Sequence, residues 1–258
     1  MMPLYVGTSG WQYRHWRASF YPEKLPAANW LEHYGARFAT VEVNNTFYRL
    51  PEASTFSAWA ERTPGDFVLT IKMSRYLTHV RRLREPADAV RTFLDHALEL
   101  GAKLGPILLQ LPPNLEVHHG ALAETLAAFP PHLRLAVEFR HPSWFDERTR
   151  AILAERGAAL CLADTPGRRT PVWRTARWTF LRFHEGRASP HPCYGQTALD
   201  TWARRLAEEW GSEADAFVYF NNDGRACAIR DAIVFARLAA RHGLKPTRVP
   251  QPDEVRLG

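Results

Sequence analysis

Seven apolar, strand-like runs along the chain end in a charged or amide side chain. They are TVEVNN (Thr40 to Asn45), FVLTIK (Phe67 to Lys72), ILLQ (Ile107 to Gln110), LAVEFR (Leu135 to Arg140), LCLAD (Leu160 to Asp164), FLRFH (Phe180 to His184) and FVYFNN (Phe217 to Asn222). Stretches with apolar residues at helical spacing lie between them. A first strand is predicted at Leu4 to Gly7, followed by the loop TSGWQYRHWRASFYP and a helix around Trp30 and Leu31. Pro51 is expected to open the next helix, with Phe56, Trp59 and Ala60 on one face and PGD at Pro64 to Asp66 as its stop. Pro86 stands near the start of another, whose stripe is Val90, Phe93, Leu94, Ala97 and Leu98. Further helices are predicted near Leu122 to Phe129 and from about Asp146, as cap, to Arg156. The last two carry Leu199, Trp202, Ala203, Leu206 and Trp210, and span Ala226 to Arg241.

Strands alternating with helices imply βαβ units and parallel pairing through crossovers. Polar carboxyl ends on strand after strand have one common cause in a TIM-type (β/α) barrel, where those ends surround a single pocket. One unit breaks the rhythm: Thr165 to Arg177 carries two prolines and no helical stripe, so the helix after the sixth strand is expected to be reduced or missing. No linker or composition shift divides residues 1–258, which are read as one domain of a length suited to such a barrel, typically ~250 residues.

Side chains alternate along a strand, so Glu42 and Asn44 share a face, as do Glu138 and Arg140, Arg182 and His184, and Tyr219 and Asn221. Lys72 goes with Thr70, and Asp164 with Leu162. The expected mouth-facing set is Glu42, Asn44, Lys72, Gln110, Glu138, Arg140, Asp164, Arg182, His184 and Asn221. So many charges at one barrel end must pair, because an isolated buried charge is costly. Two readings follow: a self-neutralising salt-bridge plug, or a site in which mutual perturbation tunes acid/base groups toward neutral pH. Asn, Gln and His side chains in the same set favour the site. Aromatic residues crowd the adjoining loops: Trp11, Tyr13, Trp16, Phe47, Tyr48, Tyr76 and Trp144. Some are expected to pack the loops onto the barrel, and others, with Trp11, Tyr48 and Trp144 as candidates, to stack on a sugar or base.

Composition narrows the classes. The formal charge is +6, and four of the 33 basic residues are lysine. Genomic composition accounts for such an arginine bias at least as well as nucleic-acid binding, and phosphate-bearing partners stay admissible. Arg81, Arg82 and Arg84 are the densest basic cluster and read as a solvated loop or helix start. Cys161, Cys193 and Cys227 are odd in number, far apart and without a CxxC pair, which points to a reducing cytoplasm rather than a disulfide framework or a cysteine zinc site. No basic segment followed by an apolar one opens the chain, so no secretory signal is expected. No apolar stretch approaches the ~20 residues needed to span a bilayer, so no membrane partner is expected.

The motifs GTSGW (Gly7 to Trp11), FYP (Phe20 to Pro22), VEVNNTFYRLP (Val41 to Pro51), IK (Ile71, Lys72) with TH (Thr78, His79), LLQLPP (Leu108 to Pro113), VEFRHPSW (Val137 to Trp144), AD (Ala163, Asp164), LRFH (Leu181 to His184) and YFNN (Tyr219 to Asn222) follow one another in order. Together they resemble the YecE-like family (domain of unknown function 72) over almost the whole chain. The resemblance implies a β/α barrel with the strand-end set as its signature, and it supplies no reaction. Two positions depart from the family pattern: Asp223 where His is frequent, and Asp231 where Asn precedes Ala.

The leading expectation is an enzyme, of hydrolase or lyase type, doing acid/base chemistry on a phosphorylated or sugar/nucleotide-like anion. Glu138 with Glu42 or Asp164 would be acid and base, with His184 beside them. Lys72, Arg140 and Arg182 would hold negative charge, and Gln110, Asn44 and Asn221 would orient the substrate. A glycosidase would use Glu42 and Glu138 as its carboxyl pair. A Schiff-base enzyme would use Lys72 as nucleophile. The runner-up is a metal-assisted, endonuclease-like barrel acting on nucleic acid. Only His184 among the histidines ends a strand, with His79 and His141 in neighbouring loops, so divalent metal is weakly supported and no metal ligands are assigned. A third reading is a non-catalytic metabolite-binding protein. No GxxxxGK[ST] or GxGxxG fingerprint supports a nucleotide cofactor, and GTSG is too short to count as one. The cofactor is therefore left open, and nothing in the pattern fixes an oligomeric state.

Overall fold

The apolar runs become strands because both of their faces are covered, one by the barrel interior and the other by helices. The computed structural model describes residues 3–255. In chain order its elements are β1 (Leu4–Thr8), α1 (Trp30–Arg37), β2 (Thr40–Val43), α2 (Asn45–Tyr48), α3 (Ala53–Glu61), β3 (Val68–Lys72), α4 (Pro86–Ala97), β4 (Leu104–Gln110), α5 (His119–Ala127), β5 (Leu135–Glu138) and α6 (Glu147–Arg156). There follow β6 (Ala159–Thr165), β7 (Arg168–Arg169), β8 (Thr179–Phe183), α7 (Gln196–Trp210), β9 (Ala216–Phe220) and α8 (Cys227–Arg241), with short 3₁₀ and π turns in the loops. The strands run β1-β9-β8-β6-β5-β4-β3-β2, all parallel, and β7 hangs from β6 as a short antiparallel strand. β1 and β2 meet without a ladder, so the eight-stranded TIM-type barrel is nearly closed. Gly7 permits that meeting: a Cβ there would stand 2.5 Å from the Thr40 carbonyl oxygen.

Between β6 and β8 no helix forms among the described residues, as the two prolines predict. Elsewhere the caps follow local chemistry. Asp146 accepts the Thr149 N–H at 2.7 Å to start α6, and Gly157, at φ 65°, ends it in the left-handed conformation. Two boundaries differ from expectation. Glu52 is extended after Pro51, so α3 begins at Ala53, and Leu98 lies beyond the end of α4 in a 3₁₀ stretch that leaves it exposed.

Alternation sorts the core into two compartments. Leu108, Ala136, Cys161, Phe180, Phe217 and Tyr219 fill the barrel interior, while Val41, Ile71, Leu109, Val137, Leu162 and Leu181 face the helices. Within the barrel the Tyr219 hydroxyl meets Thr40 Oγ1 and Thr70 Oγ1, each at 2.7 Å, and this polar layer lies below the mouth. The cysteine expectation is corrected: Cys193 and Cys227 form a disulfide with an S–S distance of 2.09 Å, leaving Cys161 as the buried free thiol. They are 34 residues apart, and β8 lying beside β9 brings the loop before α7 against the first residue of α8. The inference of a reducing compartment, which rested on unpaired cysteines, loses its basis. No helix among the described residues is long and apolar enough to cross a membrane.

Candidate functional site

β5 and β8 deliver the centre of the mouth. Glu138, the last residue of β5, is fully buried, and so is Arg182 of β8. Arg182 donates through Nη1 to Glu138 Oε2 at 2.5 Å and through Nη2 to Glu42 Oε1 at 2.7 Å, which ties three strands together. Glu138 Oε1 also accepts from Arg140 Nε at 3.0 Å and from Gln110 Nε2 at 3.1 Å. His184 Nε2 stands 3.4 Å from the same oxygen, an electrostatic contact rather than an aligned hydrogen bond. Asn221 Nδ2 lies 3.3 Å from His184 Nδ1; with the amide as donor, the ring proton sits on Nε2, toward Glu138. Seven of the predicted residues are thus joined in one cluster: Glu42, Gln110, Glu138, Arg140, Arg182, His184 and Asn221.

The electrostatics divide their roles. Burial pushes the Glu138 carboxyl up, but Arg182, His184 and Arg140 overcome it and hold the group well below the carboxylate range. Glu138 is therefore a fixed anion, poorly suited to donate a proton near neutral pH. Burial disfavours the Arg182 cation too, yet Glu42 and Glu138 more than compensate and raise its pKa. Burial lowers the pKa of His184, so its neutral form prevails at pH 7.

Lys72, at the end of β3, stands apart from this balance. It is 7% exposed, and no hydrogen bond or ion pair engages its Nζ among the described residues. The Nζ lies 4.1 Å from the centroid of the Phe47 ring. Burial, followed by the repulsion of Arg182, pulls its pKa down to about 7. Beside it His79, in a π turn at Tyr76–Val80, meets Phe47 edge-on at 4.9 Å. Burial and the cations Lys72, Arg140, Arg75 and Arg82 lower its pKa to about 4. Positive charge thus converges here from two loops. Three polar atoms on the β1–β2 side are buried and unpaired: Ser9 Oγ, Glu42 Oε2 and Asn44 Oδ1. Asn44 is otherwise held by its Nδ2 on the Ser9 carbonyl at 3.2 Å.

Three predicted site residues lie elsewhere. Asp164 shares its face with Leu162, as expected, but that is the outer face, against α7. Its Oδ2 accepts from Trp202 Nε1 at 2.5 Å and its Oδ1 from the Tyr194 hydroxyl at 3.0 Å. It thus borders a side groove of about 1180 Å³ where no helix follows β6, together with Thr170, Arg187 and Arg205. Trp11 is buried edge-on to Trp59 at 5.7 Å, and Trp144 is stacked on Phe139 at 4.8 Å with its Nε1 on the Leu115 carbonyl. Both pack loops onto the barrel and present no face to a ligand. Tyr48 is 73% exposed at the rim, and Tyr76 is exposed as well.

Some of the surroundings were not anticipated. Tyr13 donates to the Ser9 carbonyl at 2.6 Å. Asp223 binds Trp16 Nε1 at 2.6 Å and His15 Nε2 at 2.8 Å, clasping the loop after β1 to the loop after β9, and burial raises its pKa to about 6. The basic cluster around Arg82 is a tight loop in which Arg82, Leu83 and Glu85 all have positive φ, and Arg82 Nη2 reaches the Asn114 carbonyl at 2.7 Å. Among the described residues no three His, Cys, Asp or Glu side chains are gathered as metal ligands.

Comparison with known proteins agrees with this architecture. UPF0759 protein YunF of Bacillus subtilis (strain 168) is 26% identical over 254 residues, covering 85% of this chain and 89% of that protein. The crystal structure of a DUF72 family protein from Thermotoga maritima matches with a TM-score of 0.80 at 28% identity, over 92% of this chain and 99% of its own. A DUF72 family protein from Enterococcus faecalis matches with a TM-score of 0.76 at 17% identity, over 92% and 95%, a likeness of fold. The family model described as "Protein of unknown function DUF72" spans residues 5–254, and the chain belongs to that family.

Proposed function

We propose that the protein is an enzyme performing acid/base chemistry at the barrel mouth on an anionic small molecule, phosphorylated or sugar/nucleotide-like. The observation that carries this reading is the unmatched Lys72. Glu138 and Oε1 of Glu42 are already committed to Arg182, with Arg140 and Gln110 sharing Glu138, so both carboxylates act on the buried amine only from a distance and neither pairs with it. An anionic ligand supplies what the protein does not, and an amine poised near neutral pH both takes and returns a proton. The acid/base role accordingly moves from Glu138 to Lys72, with Glu138 keeping Arg182, Arg140 and His184 in place. A pure salt-bridge plug accounts for Glu42, Arg182 and Glu138 but gives no reason for a buried, unpaired lysine beside them.

The test is a screen of phosphorylated sugars, nucleotides and short single-stranded oligonucleotides for thermal stabilisation and turnover, with Lys72→Ala and Glu138→Gln as controls. The reading expects a phosphorylated small molecule to bind and be converted, with Lys72→Ala abolishing conversion. Binding without turnover that survives both substitutions would make the protein a sensor instead. A preference for oligonucleotides, engaging the exposed Tyr48 and Tyr76, would favour nucleic-acid processing.

A further inference from the structure

We propose that Lys72 is a nucleophilic amine that condenses with the carbonyl group of an anionic substrate to form an imine. This rests on the mouth-site reading above and replaces the amine's proton shuttling with a bond to the substrate's carbonyl carbon.

The four lysines of the chain have different fates. Lys24 and Lys245 are exposed. Lys103 is spent on structure: its Nζ donates to the carbonyls of Ala60 and Thr63, at the end of α3. Lys72 alone is buried without a partner, its Nζ against the Phe47 ring. A buried ammonium without a direct ion-pair partner is costly, so the site favours the neutral amine, whose lone pair makes it a nucleophile. Its pKa of about 7 agrees.

The neighbours suit the rest of the reaction. Arg140 uses Nε on Glu138, and no hydrogen bond occupies its terminal nitrogens among the described residues, which leaves them for a phosphate or carboxylate. Glu42 pairs in register with Thr70, so Lys72 at the end of β3 and Asn44, just past the end of β2, lie on adjacent strand ends. Of three buried atoms there without a hydrogen bond, the Ser9 hydroxyl can donate to a carbonyl oxygen, Glu42 Oε2 can take up and return a proton, and Asn44 Oδ1 can accept from a substrate hydroxyl. In the step itself the Nζ lone pair attacks the carbonyl carbon, and the C=O π electrons move to oxygen, which takes up a proton. Nitrogen then gives up its protons as the hydroxyl leaves as water. One amine and one carbonyl become one imine and one water, with no oxidant or reductant consumed. Protonated, the imine draws electrons from a neighbouring C–C or C–H bond, which places the overall reaction in the lyase class.

Pyridoxal 5′-phosphate, an aldehyde carrying a phosphate, is a suitable probe for the whole chain. The protein is incubated with it at pH 7, reduced with borohydride and mapped by peptide mass spectrometry. Lys72 is expected to be labelled ~10-fold or more faster than Lys24 or Lys245, because far more of its amine is neutral at that pH than of an ordinary lysine with a pKa of ~10.4. Inorganic phosphate should slow labelling at Lys72 and leave the exposed lysines unaffected. Labelling of Lys24 and Lys245 with none at Lys72 would overturn the imine. If phosphate still stabilises the protein thermally in that case, the anion site stands and only the covalent step fails. If phosphate neither stabilises the protein nor protects Lys72, the mouth-site reading falls as well.

Discussion

Arg182 Nη1 lies 2.5 Å from Glu138 Oε2, with both side chains closed to solvent. The pair comes from neighbouring regions of one sheet, and the second arm of the guanidinium reaches across to Glu42. Removing the cation leaves two buried carboxylates facing each other. Arg182→Met is therefore expected to cost about 3–5 kcal/mol, read as a lowered urea midpoint. Glu138→Gln in the same background should recover part of the loss. A midpoint equal to that of the parent would show that the network does not hold the barrel.

Lys72 predicts a pH dependence of stability. Its folded pKa is about 7, whereas an unfolded lysine titrates near ~10.4. Between those values the unfolded chain binds more protons, so this residue makes stability rise with pH. Below pH 7 the full cost of a buried ammonium applies. Lys72→Met is expected to stabilise the protein at pH 6 by on the order of 1–4 kcal/mol and to flatten the rise toward alkaline pH. Paired denaturation curves at pH 6 and pH 9.5 measure it; an equal effect at both would contradict a depressed pKa.

Asp231 accepts both the Tyr194 N–H and Asn222 Nδ2 on one oxygen, each at 2.7 Å, while its other oxygen is buried and without a hydrogen bond. Burial raises its pKa to about 6. Between an unfolded value of ~3.9 and this one the native state binds more protons, so stability falls as pH rises, and the cost is complete above pH 6. Asp231→Asn keeps an oxygen for both donors and removes the charge. It is expected to stabilise the protein at pH 8 by about 1–2 kcal/mol and to have little effect at pH 4. Destabilisation at pH 8 would mean the carboxylate is needed there.

Asp164 offers a control for the location of the site. Asp164→Asn weakens the contacts to Trp202 and Tyr194 on the outer face, with an expected cost of about 1–2 kcal/mol and altered tryptophan fluorescence. Phosphate stabilisation, which the proposed function assigns to the mouth, should be unchanged. Its loss would place Asp164 in the ligand site after all.

The disulfide is checked by thiol counting. Denatured, unreduced protein should expose one thiol, that of Cys161, and reduction should add two. Three thiols without a reductant would restore the cysteine reading of the sequence.

Much of the charged cluster at the mouth was legible because strand parity is strict. Glu42, Lys72, Glu138, Arg182 and His184 occupy the positions that alternation assigns them. Parity tells which residues travel together but not which face they take, and Asp164 shows the difference. The indole of Trp202 on α7 and the Tyr194 hydroxyl give its carboxylate hydrogen-bonding partners that no local pattern announces. Trp11 and Trp144 sit in loops, and only the path of a loop decides whether an aromatic ring turns inward. Cys193 and Cys227 are remote in sequence and become neighbours through the ordering of the last two strands. Tyr219 could have been found, since it has the parity of Asn221, but a tyrosine in an apolar strand looks like packing until Thr40 and Thr70 are brought to its hydroxyl.

That hydroxyl layer has a consequence for traffic. With Tyr219 bridging Thr40 and Thr70, and Phe180 beside it at 5.4 Å, the barrel is stoppered beneath the charged cluster. No route leads through the barrel past this layer, so a molecule admitted at the mouth would have to leave on the side it came from. On the proposed function, admission and release would share one route, and a change in the rim loops would alter both together.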